Sequence, residues 1–512
     1  DEEKAIPYID TDTAKELMER AFREINEDEG FELTVTKEGH TATFTRENRY
    51  PMMIDADRDV IDFADYDAFF MPSWSDNIVG VLEHYGTINC LQCNKELSYS
   101  RYGAEVVFEL GKYGIDIFES DGECYIPMQT LSDIALSINT YVNLIYNGEA
   151  VYARELTMGD DSQFLSGLYK AGTGSRSRAL ADFTYNEFCM TLDYFYGLKD
   201  RHGIDGFDDF FYETGLKYGV LSEDVKESDQ AYADLMVLYL DDLHSGYVKS
   251  SYLAGEDHRP DFQIGNSIRS FSETAKRFKA AREESHPDGM PGYEEVGNTA
   301  YITFDTFDTI EKDRDYYSDP PTSDTKDTVG LCLYAFSQIK RKDSPIENVV
   351  LDLSNNTGGD STTASFVLSM FLGKASICVK DVMTGAYSNE SFSADADLDG
   401  DFDENDSLTD RNLYCITSPV SFSCGNLVPS VLKNSHVVTM IGQTSGGGSC
   451  MVMPVALADG TLLQISGNKI ISYMKNGSVY DVDQGVEPDL YMGKPESFYD
   501  RVSLTEFINE SR

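Results

Sequence analysis

The chain has 512 residues, 41% hydrophobic and 12% aromatic, which is enough for several packed cores and too much for a disordered chain. Its 89 acidic against 41 basic residues give a formal net charge of -48, which repels nucleic acid and anionic lipid and favours cations. No window approaches the roughly 18 apolar residues of a membrane span, and nine thinly spread cysteines exclude a dense disulfide scaffold.

In chain order, residues 8–27 form an amphipathic helix. Thr11-Asp12-Thr13 caps it, and Leu17, Met18, Phe22 and Ile25 make its apolar face. Phe31 to Arg46 alternates around Glu38-Gly39, which predicts a hairpin. Strand-like pieces continue to Cys124, so residues 1–150 read as an α+β accessory domain. Cys90 and Cys93 form a lone CxxC with no partner pair, the pattern of a local disulfide or two thiols rather than zinc. Residues 151–291 read as mainly helical. Phe188, Leu192, Phe195 and Tyr196 share one face, and a helix from Gln230 to Leu243 delivers His244.

From Gly292 strands and helices alternate. Thr299–Phe304, Asn348–Leu353, Leu413–Thr417 and Val437–Ile441 are strands. Helices fall between them at Asp327–Lys340, Thr362–Leu372 and Leu427–Lys433. This alternation predicts an α/β core with a largely parallel sheet over 292–495. Residues 496–512 read as a C-terminal tail. Ser423 stands where a strand turns into a helix. A serine there is either an ordinary helix cap or a nucleophile whose hydroxyl stands clear of the sheet.

The strongest local motif lies inside the core. In Asp395-Ala396-Asp397-Leu398-Asp399-Gly400-Asp401-Phe402-Asp403-Glu404-Asn405-Asp406, acidic residues fill positions 1, 3 and 5 of a twelve-residue loop. Gly400 is at position 6, Asp401 offers its carbonyl at 7, and Asp406 closes the loop. That spacing suits Ca2+, a structural ion here, with Asp395, Asp397, Asp399, Asp401 and Asp406 as ligands. Aspartate at position 12 resembles the dockerin-type loops of secreted bacterial proteins.

Asp352-Leu353-Ser354-Asn355-Asn356-Thr357-Gly358-Gly359, Ser421-Phe422-Ser423-Cys424-Gly425-Asn426, Gly485-Val486-Glu487-Pro488-Asp489 and Asp242-Leu243-His244-Ser245 occur in one chain. Together they resemble the C-terminal-processing (tail-specific) serine peptidase family. No PDZ-like pattern occurs between Lys249 and Met290, so the likeness is to the PDZ-less, tricorn-like and retinoid-binding-protein-like branch. The resemblance covers about residues 235–250 and 293–492. It implies a crotonase-like layered fold and Ser423 as nucleophile. Family members with a Ser–Lys dyad carry a lysine in the glycine turn after the next strand, which falls here at or near Gly448. Lys433 lies within the intervening helix and Lys469 far downstream. The resemblance therefore implies His244 as general base and Asp483 as the carboxylate that orients it. It implies an oxyanion hole from the N–H groups of Cys424 and of Gly358 or Gly359. Cys424 is the rival nucleophile, because thiols are intrinsically more reactive.

The function expected is an exported serine endopeptidase, extracellular or at a bacterial cell surface. It acts on peptide or protein substrates through an acyl-enzyme, with no cofactor in the chemistry. The chain starts at Asp1, as expected of a protein whose leader has been removed. Two alternatives stand beside this. One is a catalytically inactive peptide- or lipid-binding protein on the same fold, and the other is a calcium-dependent adhesion or assembly protein. Nothing in the sequence encodes an oligomeric state.

Overall fold

The computed structural model describes residues 6–75, 77, 88–156, 162–308 and 314–511. The architecture is mixed α/β with several sheets. The sheet that organises the site has six strands. Their order is Tyr293–Val296, Thr299–Thr303, Asn348–Asp352, Asn412–Thr417, Val438–Gly442 and Leu490–Tyr491. The first pair is antiparallel and the other four pairs are parallel. Helices Thr328–Ile339, Ser361–Leu372 and Cys424–Asn434 follow successive strands, as a parallel sheet requires.

The residue alternation explains why this sheet is buried on both faces. Side chains of a strand point to opposite faces in turn. Ala300, Ile302, Val349, Leu351, Leu413, Cys415 and Met440 enter one core cluster, which includes the crossover helices. Tyr301, Val350, Tyr414, Ile416 and Ile441 enter a second, with Phe278, Phe498, Leu504 and Ile508. The second face is covered by helix Asn266–Ser285 and helix Arg501–Glu510. Residues 496–511 are therefore not a loose tail. Leu504 and Ile508 are buried, and so is Arg501, whose guanidinium meets Asp352 at 2.7 Å.

The expected boundaries at 150, 291 and 495 do not separate independent cores. A seven-stranded sheet draws on three of the four segments. Leu91–Cys93 and Tyr99–Arg101 pair with Tyr387–Ala394, and Gly246–Lys249 pairs with Leu462–Ser472. One apolar cluster runs from Ala14 to Val486. Strand pairing between distant segments leaves no register signal in local sequence, so a reading from composition shifts places boundaries where the chain crosses over.

Nearer the N-terminus the local signals suffice. The first helix spans Thr11–Ile25, and Asp10 rather than Thr11 caps it, its carboxylate accepting from the Thr13 N–H at 2.7 Å. The hairpin pairs Leu33–Glu38 with Thr41–Arg46 across Gly39-His40, within a five-stranded antiparallel sheet. All nine cysteines are free thiols, Cys90 and Cys93 included.

Candidate active site

Three loops leave the carboxyl ends of neighbouring parallel strands and meet, where open α/β sheets place their ligands. They follow Asp352, Thr417 and Gly442. The middle loop carries Ser423. Its neighbours fix the turn: Ser421 Oγ donates to Leu353 O at 2.7 Å and Ser418 Oγ to Ser354 O at 2.6 Å. The Phe422 N–H donates to Asn356 O and the Ser423 N–H to Gly447 O. Pinned from both sides, Ser423 adopts φ 56°, ψ -126°, a conformation that costs a non-glycine residue energy. It directly precedes helix Cys424–Asn434, yet its side chain makes no capping hydrogen bond. The ordinary cap is therefore excluded, and the hydroxyl is held at a strained strand-to-helix turn.

Ser423 lines a cleft of about 510 Å³ that also contains His244, Cys424, Gly359 and Lys469. That volume suits a small-molecule or peptide-segment site. His244 arrives by a different route. The helix ending at Leu240 stops at Asp241, which has φ 49° and accepts from the Ser267 and Ile268 N–H groups at the start of the next helix. Asp242 Oδ1 then accepts from the His244 and Ser245 N–H groups at 2.9 Å each, and its Oδ2 from the Tyr196 hydroxyl at 2.9 Å. The His244 ring packs on the Phe422 ring with centroids 4.6 Å apart, one residue from Ser423. Neither ring nitrogen has a hydrogen-bond partner among the described residues. Burial holds the imidazole below its usual range, with Asp242 and then Asp483 pulling the other way.

Two residues that line this cleft have backbone N–H groups without an acceptor among the described residues. That of Cys424 opens the helix, and that of Gly359 follows the Asn/Gly turn. The Gly358 N–H is taken by Asn356 Oδ1 at 2.9 Å, which narrows the pair to Cys424 and Gly359. Gly359 has φ 129°, and a Cβ there would stand 2.3 Å from the Phe307 carbonyl oxygen, so the position tolerates only glycine. Burial, then Asp360, pushes the Cys424 thiol up to about 12, so its thiol stays protonated at neutral pH.

Among the described residues no hydrogen bond or ion pair joins Asp483 to the imidazole, although its charge acts on the ring. Its Oδ1 accepts from the Ser449 and Gly448 N–H groups at 2.6 and 3.1 Å, and its Oδ2 pairs with Arg201. It holds the glycine loop in place, and of the two carboxylates Asp242 acts more strongly on His244. The Asp-x-His spacing of Asp242 and His244, in which a carboxylate accepts from the N–H two residues on, was the local signal for that role.

The absent lysine has a physical explanation. A Cβ at Gly448 would lie 2.5 Å from the Phe422 ring, and Gly448 has φ 90°. The aromatic ring fills the space a lysine stem needs. Lys433 pairs with Asp489 at 3.2 Å. Lys469, far along the chain, nonetheless reaches the cleft wall, donating to Asn139 Oδ1 at 3.1 Å. It sits on strand Leu462–Ser472, and no local pattern announces its position.

In the acidic loop, carboxylate oxygens of Asp395, Asp397 and Asp399 lie within 4.8 Å of one another. Asp401 and Asp406 do not join them. Asp406 Oδ1 accepts from the Ala396 and Asp397 N–H groups and Oδ2 from that of Asp403, so its carboxylate is used to close the loop on itself.

Fold and cleft together place Ser423 at a strand-to-helix turn of an α/β core. Residues 298–492 match the model of peptidase family S41. Among solved structures, the chain is similar to the photosystem II D1 C-terminal processing protease at 19% identity and a TM-score of 0.29. That alignment covers 39% of this chain and 43% of the protease's length. Mature CPAF complexed with lactacystin aligns at 11% identity over 67% of this chain and 98% of its own, with a TM-score of 0.41. A lipoprotein from Streptococcus agalactiae aligns at 15% identity over 65% and 96%, with a TM-score of 0.38. No curated protein matches the chain.

Proposed function

We propose that the protein is a serine peptidase that hydrolyses peptide bonds through an acyl-enzyme on Ser423, with His244 as general base. The observation that carries this is the strained, uncapped Ser423 in one cleft with His244 and the two acceptor-free N–H groups. Ser423 Oγ attacks the scissile carbonyl and His244 takes its proton. The oxygen that gains charge lies against the N–H groups of Cys424 and Gly359, and each such donor contributes about 10²–10³ in rate. His244 then gives the proton to the leaving amine, and water, activated by the same imidazole, releases the acyl group. Burial favours the neutral imidazole, the form a base requires. The reading includes the crotonase-like layering that the family resemblance implies.

One observation favours a second reading, an inactive binder on the same fold. No hydrogen bond joins the His244 ring to Ser423 or to a carboxylate among the described residues. Labelling with a fluorophosphonate probe separates the two. The peptidase labels at Ser423, loses the label in Ser423→Ala, loses most of it in His244→Ala and keeps it in Lys469→Met. A folded protein that takes no label is the binder.

The same reading extends to an exported protein. Its support is the acidic loop, because free calcium is abundant outside cells. Detection of the protein in the cytoplasmic fraction alone refutes that extension.

A further inference from the structure

We propose that the loop Asp395–Asp406 is a calcium site. A group of acidic side chains is common without an ion, so the case rests on Asp395. Its residue is fully buried, at 0% exposure. Its Oδ2 accepts from the Tyr317 hydroxyl at 2.7 Å and the Gly400 N–H at 2.8 Å. Its Oδ1 is buried and has no hydrogen-bond partner among the described residues. A buried carboxylate oxygen without a donor is costly, and folding tolerates it where a cation completes it. This carboxylate lies beside Asp397 and Asp399, with an oxygen from each of the three within 4.8 Å. These are the only three such residues grouped at metal-binding distance among the described residues.

The donor set is all hard oxygen, which selects calcium or magnesium over zinc or copper. Asp395, Asp397 and Asp399 supply three ligands, the Asp401 carbonyl stands at the position that commonly supplies a fourth, and water completes a shell of about six to eight. Magnesium demands tighter octahedral geometry and keeps its water, so a flexible loop with this many carboxylates favours calcium. The Asp406 carboxylate holds backbone N–H groups and so shapes the loop rather than facing the ion.

The site ties three parts of the chain together. The Asp395 N–H donates to the Cys90 carbonyl, Tyr317 donates to the Asp395 carboxylate, and the turn at Asp315 accepts from Asn89 Nδ2 at 2.7 Å. Calcium bound here stabilises that junction by mass action. The inference does not depend on peptidase activity, and its test has no activity readout.

The full chain is stripped of divalent ions with a chelator, dialysed and titrated with calcium chloride by calorimetry. The expected result is one calcium per chain and a melting temperature that rises with calcium. Asp397→Asn with Asp399→Asn changes two exposed ligands and leaves buried Asp395 in place; affinity falls by at least about tenfold, since it follows ligand charge. Terbium provides an independent reading. The Tyr317 phenol is hydrogen-bonded to a ligand residue, so tyrosine excitation sensitises terbium emission, calcium quenches it by displacement, and Tyr317→Leu removes most of it. Absence of both binding heat and melting shift at about millimolar calcium overturns the site. So does undiminished binding in the double variant.

Discussion

Ser423 offers a test in which a nucleophile turn and an ordinary helix cap predict opposite signs. At φ 56°, ψ -126° a side chain is strained by about 1–3 kcal/mol. Glycine removes that strain and loses about 0.5–1 kcal/mol through the greater freedom of its unfolded chain. Ser423→Gly is therefore more stable than the wild type by a net ~1 kcal/mol. For a cooperative unit of this size, that is a rise in melting temperature of about 1 °C, and a matching shift of the denaturant midpoint. Ser423→Ala keeps the strain and loses no capping bond, so it stays within about 0.5 kcal/mol of wild type. An ordinary cap gives the reverse: alanine destabilises by about 1 kcal/mol and glycine by a few tenths. Differential scanning fluorimetry and denaturant titration of the three proteins decide it. A Ser423→Gly variant at or below the wild-type melting temperature refutes the argument that the turn stores strain for chemistry.

The pH dependence follows from His244. Burial sets its pKa below 6.5, so kcat/KM on a peptide substrate rises with pH along a limb centred below 6.5 and is flat through neutrality. The same depression makes protonation of the ring unfavourable to folding, so its contribution to stability is lost as pH falls below 6.5 toward the folded pKa. A limb centred above neutrality contradicts the assignment. Gly359→Ala sets a Cβ against the Phe307 carbonyl and displaces one oxyanion donor; acylation by the fluorophosphonate probe slows by about 10²–10³, and labelling at the wild-type rate removes Gly359 from the site. Arg501→Met leaves the buried Asp352 carboxylate without its 2.7 Å partner and costs about 3–5 kcal/mol. Arg501→Met combined with Asp352→Leu recovers most of that loss in denaturant titration, because no unpaired charge remains.

Local sequence was sufficient wherever the physics is local. Val349, Val350 and Leu351 read as a buried strand and are one, because an apolar β-branched run between turns has few other stable conformations. The Asn355–Gly359 turn and the helix after Ser423 follow from backbone chemistry within a few residues. What lay beyond reach depends on contacts between distant segments. Asp483 was named for the imidazole from its place in the order of motifs, yet Arg201 and the Gly448 and Ser449 N–H groups take both its oxygens. The domain boundaries missed the pairing of Leu91–Cys93 with Tyr387–Ala394, some 300 residues apart. Lys469 was set aside as remote and stands in the wall of the cleft.

The amino-acid sequence by itself determined which residues have the chemistry to act: a serine at a turn, a histidine behind an Asx turn, glycines that admit a close approach, and a spaced run of aspartates. Each of these is set by neighbours a few positions away, whose sterics and hydrogen bonds the chain carries wherever it folds. Tertiary structure alone decided which of them share a space. Sheet pairing and packing bring Ser423 and His244 into one cleft, set the Phe422 ring against Gly448, and leave one oxygen of Asp395 buried without a hydrogen-bond partner among the described residues.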